Sequence, residues 1–220
     1  MDFEFDYDID NNGNAIHMTA RVHERARLGK NNVIGAFCMV YENVTMGDNN
    51  HFQSHCSIGA PPQHKAFDGV GNNKGVSIGN NNKFREFVTI HGGTSITTTI
   101  GNGNYLMAYC HIPHDAILGD DITMANGTQL GGHTVVQNRA NFGLNSVVHQ
   151  FGFIGEGAML GMGCVVSKNK RIIPYWIHIG NPARATRKNL YLLEKYGVDE
   201  KTLAELIERY NKDFSYTKSH

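Results

Sequence analysis

Five histidines crowd the middle of the chain, at His91, His111, His114, His133 and His149, and the tightest grouping is His111-Ile-Pro-His114-Asp115. An imidazole titrates near neutrality, so it can take a proton from a hydroxyl when a partner holds it in the right tautomer. A row of imidazoles can also hold a metal, which for zinc needs three or four ligands brought close together. A third use is simply hydrogen bonding to backbone. His17, His23, His51 and His55 occupy similar turn-rich sequence, so position alone does not select among these uses. Cys38, Cys56, Cys110 and Cys164 are isolated, with no Cys-x-x-Cys pair, which argues against a zinc knuckle. They read as buried thiols of a reducing cytoplasm rather than as a disulfide frame.

A strict period of six residues positions these side chains. From Ile100 the apolar places run Leu106, Ile112, Leu118, Met124, Leu130, Val136, Phe142, Val148, Ile154, Leu160 and Val166. An earlier run leads from Ile16 to Ile58, and a third holds Ile78, Phe84, Ile90 and Ile96. Two residues before each large side chain is a mostly small one, such as Cys110, Ala116, Thr128, Thr134, Ala140, Ser146, Ala158 and Cys164. Side chains two apart share one face of a strand, and Gly or Asn accepts the left-handed corner that follows. Three such sides close a triangular coil of 18 residues, and 24 repeats give eight stacked parallel coils, a prism on the order of 38 Å tall. Sandwich strands, spaced irregularly by 8–12 residues, do not produce this rhythm. Periodicity fixes the coil but not its hand. On such a scaffold His114 and His133, 19 apart, fall on adjacent coils at nearly the same azimuth. All five histidines lie largely outside the two interior registers and should face outward.

Composition agrees with this frame. The 220 residues carry 20 Lys+Arg against 20 Asp+Glu, which lacks the basic excess of a nucleic-acid binder. Twenty-five Gly and only 18% charged residues disfavour a helical bundle. No apolar run reaches 18 residues, and the acidic start Met1-Asp-Phe-Glu-Phe-Asp-Tyr-Asp lacks the segments of a signal peptide, so a cytoplasmic protein is expected. The rhythm breaks twice. Residues from about 60 to 76, opening Ala60-Pro-Pro-Gln-His-Lys, should project as a loop that carries binding residues or is a tolerated insertion. A shorter break falls between Ile96 and Ile100. The period ends after Val166. Helical patterns follow near 183–196 and 200–212, with Asn181 as cap and Pro182 in the first turn. Leu203, Leu206, Ile207 and Tyr210 form one apolar stripe, and Leu190, Leu193 and Tyr191 another. The expected division is a β-helix over 1–180 and a helical segment over 181–220.

Ile90-His-Gly-Gly93, Leu106-Met-Ala-Tyr-Cys-His-Ile-Pro-His-Asp115, Leu130-Gly-Gly-His133, Val148-His-Gln-Phe151 and Gly180-Asn-Pro182 resemble the acyl-ACP–UDP-N-acetylglucosamine O-acyltransferases that begin lipid A synthesis. The resemblance spans about Ile16 to Tyr210. It implies an all-β left-handed parallel β-helix, built from hexapeptide repeats, with a small C-terminal α-helical segment. It also implies a homotrimer whose sites lie between subunits, with acyl carrier protein and a UDP-sugar as partners. No tightly bound cofactor or metal is implied; the acyl group arrives as a thioester on acyl carrier protein or coenzyme A.

By the same resemblance His114 is the general base, Asp115 its orienting carboxylate, and the Gly132 N–H the oxyanion donor. Gln63, His64, Lys65, His91, His111, His133, His149, Gln150, Asn181 and Lys195 are substrate contacts, and Met162 floors the acyl groove and should select a short or medium 3-hydroxyacyl chain. Two places depart from the family pattern. The loop commonly reads Pro-Gln-Asp-Leu-Lys-Tyr, whereas here Pro62-Gln63 is followed by His64-Lys65-Ala66-Phe67. The usual Lys-Arg-Arg-Gly becomes Glu194-Lys195-Tyr196-Gly197, and a lysine does not reproduce the bidentate arginine fork. These departures leave room for a coenzyme A-dependent N- or O-acyltransferase acting on another nucleotide sugar. A metal-dependent carbonic anhydrase-like enzyme and a non-enzymatic prism are the readings from other classes.

Overall fold

Most repeats form a two-residue strand and a corner, because alternate side chains in six residues leave room for only one large inward group per side. The computed structural model describes residues 6–67, 73–168 and 170–218. Strands one coil apart pair in parallel, as where Ile117 and Leu118 face Val135 and Val136. The result is three sheets of eleven, eight and seven strands. The first face holds strands such as Tyr105–Leu106, the second His111–Ile112, and the third Ile117–Leu118. Both ends of the first sheet turn antiparallel, through Tyr7–Ile9 against Ala15–His17 and Arg184–Lys188 against Trp176–Ile179. Neither end strand follows the repeat, so periodicity did not reveal them.

The interior holds nearly all of the large register: Leu106, Ile112, Leu118, Met124 and Phe142 are buried, and Ile16, Val22 and Leu28 pack partly buried against the core. The small register differs between the two halves. From Cys110 onward it is apolar or hydroxylic, whereas earlier it holds the buried column Asn14, Asn32, Asn50, Asn82 and Asn104. Each Oδ1 accepts from the next member, as Asn50 Oδ1 does from the backbone N–H (3.1 Å) and Nδ2 (2.9 Å) of Asn82. Each Nδ2 also donates to a glycine carbonyl at the corner, as Asn82 does to Gly101 at 2.9 Å. Asparagine therefore serves as core filling as well as corner residue, with its buried polar atoms satisfied.

Both breaks are insertions. Ile58 and Ile78 are 20 apart and Ile90 and Ile100 ten apart, which leaves fourteen and four extra residues over a spacing of six. Ile96 was expected in the apolar register; it lies in the second insertion and is 45% exposed, while Thr98 and Ile100 occupy the interior. The two insertions are joined by Lys74 N–H to Gly93 O (2.8 Å), Gly93 N–H to Gly75 O (3.2 Å) and Gly92 N–H to Ala60 O (2.8 Å). The tip of the first, residues 68–72, lies outside the described residues.

The C-terminal expectation needs correction. Residues 184–188 form a strand, not the start of a helix. Asn181-Pro182 is a cis bond in the connection between the two end strands, so neither residue caps or opens a helix. Helix α1 spans Leu190–Lys195 and is capped by Asn189; helix α2 spans Glu200–Lys218. Leu203 and Tyr210 are buried as the stripe required, and the Tyr210 hydroxyl takes the Ile172 N–H at 2.9 Å. Leu190 and Tyr191 are instead 70% exposed, because α1 is one short turn beyond the end strand and has no buried residue. All four cysteines are buried and unpaired. Among the described residues no helix is long and apolar enough to cross a membrane.

Candidate functional site

The edge between the second and third faces brings the central histidines together. His114 and Asp115 form the corner between His111–Ile112 and Ile117–Leu118, and His133 holds the same corner one coil on. Asp115, His133 and Phe151 adopt φ of 59, 59 and 60°, so the corner turns through a left-handed residue at each level. The 18-residue coil stacks them. His133 packs face to face on Phe151, with centroids 4.6 Å apart, and edge-on to His114 at 5.2 Å. The chain thus fulfils the expected meeting of His114 with His133. The histidines do lie outside the triangular core, but His91 and His114 are each only 8% exposed, because the insertions cover the edge.

Asp115 is built in with unusual thoroughness. Its Oδ1 accepts the backbone N–H groups of Thr94 (2.9 Å), Ser95 (2.7 Å) and Ile96 (2.9 Å). Its Oδ2 accepts from Thr94 Oγ1 at 2.6 Å and lies 2.7 Å from His114 Nδ1. Its own N–H donates to Thr98 Oγ1 at 2.9 Å. Burial alone would raise this carboxyl, but the hydrogen bonds from Thr94, Ile96, His114 and Ser95 override it and hold the group well below the usual carboxylate range. An ionised carboxylate can only accept, so the proton of the His114–Asp115 bond sits on Nδ1, and it is Nε2 that carries the lone pair of the neutral ring. That is the form a general base needs.

Gly132 lies against this lone pair. A Cβ placed there would come within 2.7 Å of His114 Nε2 and 2.6 Å of Cε1. A side chain at 132 would therefore press on the His114 ring, and glycine keeps that side of it clear. The Gly132 N–H has no acceptor among the described residues and is available to donate to a ligand.

The remaining imidazoles form a connected border. His64, from the first insertion, is edge-on to His114 with centroids 5.3 Å apart, and its Nδ1 accepts the Ala66 N–H at 3.3 Å. His91 Nδ1 donates to Pro61 O at 2.7 Å, pinning the base of that insertion, and meets His111 edge-on at 5.2 Å. His111 Nδ1 is 2.8 Å from Thr89 Oγ1. Burial, reinforced by the charges of His91 and His114, pushes the His111 imidazole down to about 4. Burial likewise lowers His91 and His133, against the opposing pull of Asp115 on the latter. Burial thus favours the neutral form of His91, His111 and His133, in which they act as hydrogen-bonding groups.

Other expected contacts lie apart within one chain. Gln63 and Lys65 are exposed on the same insertion. His149 and Gln150 are exposed at the next corner, where His149 Nδ1 bonds to Gln150 O at 2.9 Å. Met162, 76% exposed, sits on the edge between the first and second faces. Asn181 is exposed near the end strands, and Lys195 lies by Tyr196, whose ring carries Arg139 at 4.3 Å on the edge between the third and first faces. His114, Asp115 and His133 are close enough to hold a metal, with His133 Nε2 3.6 Å from Asp115 Oδ2. However, five donors already occupy the Asp115 oxygens, whose lone pairs number about four. The trio is better suited to proton transfer than to a cation.

Thr94, Ser95, Thr98 and Phe151 were missed from sequence. The spacing of 18 from Asp115 to His133 to Phe151 could have found the last. Gly92-Gly93 at the break could have flagged the others, since a Cβ on Gly93 would collide with the Ile96 carbonyl oxygen.

Residues 12–60 and 97–132 match the bacterial transferase hexapeptide (six repeats) family. The chain is similar to the acyl-[acyl-carrier-protein]–UDP-N-acetylglucosamine O-acyltransferase of Aliarcobacter butzleri, 34% identical over 93% of this chain and 85% of that one. It is 31% identical to the corresponding enzyme of Stenotrophomonas maltophilia strain R551-3, over 90% of this chain and 82% of that one. Among solved structures it resembles the UDP-N-acetylglucosamine acyltransferase of Francisella novicida (TM-score 0.69, 33% identity, 89% of this chain and 78% of that one). LpxA of Acinetobacter baumannii superposes with a TM-score of 0.74 at 30% identity, covering 89% of this chain and 82% of the other.

Proposed function

Because the chain belongs to the acyl-[acyl-carrier-protein]–UDP-N-acetylglucosamine O-acyltransferase family, we propose that it moves an acyl group from acyl carrier protein to the 3-hydroxyl of UDP-N-acetylglucosamine, with His114 as base. The observation that carries the residue assignment is the 2.7 Å bond from His114 Nδ1 to the lowered Asp115 carboxyl, which fixes the tautomer so that Nε2 is the nitrogen facing the substrate as base. Nε2 takes the hydroxyl proton as the sugar oxygen attacks the thioester carbonyl. The tetrahedral oxyanion forms beside the Gly132 N–H. Its collapse breaks the carbon–sulfur bond, and Nε2 returns the proton to the departing thiolate, giving an ester and a free thiol. A base and charge stabilisation suffice, so no redox cofactor or metal takes part.

His64, His91, His111 and His133 line the acceptor side in this reading, with Gln63 and Lys65 above them. Met162 limits chain length from another edge, and Lys195, Asn181, His149 and Gln150 complete the nucleotide end. Residues on different edges of one prism can serve one site only if copies associate side by side. The exposed Ile117, Leu144, Phe151 and Met162 support such an association, and three copies related by cyclic symmetry make three equal clefts. The enzyme works in the cytoplasm, where both activated substrates occur.

The test is direct. Purified protein is incubated with 3-hydroxyacyl carrier proteins of graded length and UDP-N-acetylglucosamine, and the product is read by mass spectrometry. A 3-O-acylated nucleotide sugar, lost in His114→Ala, is expected. Transfer only from acyl-coenzyme A, or only to an amine, would replace this assignment with the N- or coenzyme A-dependent one.

A further inference from the structure

The first face carries a second polar concavity, away from the edge that holds His114. A cavity of about 530 Å³ opens among His51, Gln53, Asn81, Lys83, Arg85 and Tyr105, with no Asp or Glu in its lining. Its position follows from the repeat: residues 51, 83 and 105 are register partners on successive strands, so their side chains stack on one outward row. Asn81 and Gly103 form the adjoining corner.

Every polar group in that lining can donate a hydrogen bond. Arg85 is held in place by Glu86 Oε1 at 2.9 Å and Tyr105 Oη at 3.4 Å, both through its terminal nitrogens. Its Nε is buried and has no partner, one of two such side-chain atoms among the described residues. A buried donor left unpaired is costly unless a ligand supplies the acceptor. Lys83 is exposed beside it and has no ion pair among the described residues. Glu86 cancels one charge, so the cavity keeps a net cation. Desolvation, with the charges of Lys83 and Arg85, pushes the His51 imidazole down towards its neutral form.

We propose that this cavity is a phosphate-binding site, in which Lys83 and Arg85 neutralise the anion and His51, Gln53, Asn81 and Tyr105 bond its oxygens. The chemistry suits a phosphoryl group of either of two sources, a nucleoside diphosphate or the phosphodiester of a pantetheine arm. Lys83 and Tyr105 lie on the strands immediately preceding those of Thr89 and His111, so the cavity is at about the same height on the prism as the His114 corner. In an assembly of prisms with parallel axes, that height would be shared by a neighbouring copy's catalytic edge.

Binding of inorganic pyrophosphate to the whole protein is measured by calorimetry, alongside Lys83→Ala and Arg85→Gln, each checked by circular dichroism. Saturable binding that weakens about tenfold or more in Lys83→Ala is expected, from loss of one charge-assisted contact. UDP and 4′-phosphopantetheine are then titrated separately, and the source whose affinity falls in parallel in the Lys83 variant is the occupant. Arg85→Gln keeps a donor while removing charge, and should weaken pyrophosphate by a similar factor; if that variant is misfolded, Lys83→Glu gives the same reading from an exposed position. Pyrophosphate affinity unchanged in Lys83→Ala and Lys83→Glu would overturn the proposal. So would the absence of any binding, even with acyl transfer intact, and neither result would touch the role of His114.

Discussion

His114 illustrates how little a residue's identity says until its neighbours are fixed. The chain has 12 histidines, and what separates this one is an acceptor-only partner at Nδ1 and a glycine beside Nε2. His114→Ala should retain the fold and lose acyl transfer by about 10²–10⁴-fold, the usual span for a general base. Asp115→Asn should lose comparable activity because an amide no longer dictates the tautomer; a near-normal steady-state rate would show that the Thr94–Ile96 bonds serve the fold alone. Gly132→Ala should reduce the rate at least about tenfold, because its Cβ meets the His114 ring at 2.6 Å. The neutral rings also set an acid limit. An unfolded His111 gains its proton near 6.5 and the folded one only near 4, so the unfolded state binds more protons across that window. Stability is full above pH 6.5 and falls as the pH drops towards 4. The lowered Asp115 carboxyl acts in the same direction through the ordinary carboxylate range. Urea midpoints at pH 7.5 and 4.5 read this loss, and His111→Asn should flatten it.

At the scale of elements, the two insertions divide the work. The shorter one folds back so that three successive N–H groups point at one oxygen, which an uninterrupted coil cannot offer. The longer one delivers His64 to the edge of the His114 ring. The asparagine column makes a different demand. Asn50→Leu would leave the Asn82 backbone N–H and the Gly79 carbonyl without their partners. It should destabilise by about 1–3 kcal/mol, or several degrees in a thermal melt for a chain this size. Exposed Asn11 serves as the control; equal melting temperatures for the two variants would remove the column from the account of stability.

The whole molecule is a prism with three different edges, and that asymmetry is what one chain cannot resolve into a cleft. Sedimentation should give a mass of about 73 kDa, three times the 24.4 kDa chain. Mixed assemblies provide the sharper measurement. His114→Ala and Lys195→Glu place their defects on different edges, so co-expressed chains should recover activity that neither has alone. No recovery from two individually inactive, correctly assembled variants would mean that each site is served by one chain. Met162→Gly, on the remaining edge, should shift the preferred donor to a longer acyl chain.

Much of this was legible from residue order. The period of six determined the coil, the inward set from Ile16 to Val166, and the approach of His114 to His133, because a stack of equal turns converts sequence distance into position. Motif resemblance pointed to His114 and Asp115 as a pair, and the structure places them in contact. Where the repeat stopped, so did that translation: Ile96 kept the count yet lies in an insertion, and 184–188 pair as a strand because an end sheet offers open hydrogen-bond partners that local helix propensity does not weigh. Only the tertiary structure decided that Thr94, Ser95 and Ile96 enclose Asp115 and that Arg85 Nε is left unpaired. Those outcomes depend on how inserted backbone closes against a coil twenty residues away, a matter of three-dimensional packing that no linear spacing encodes.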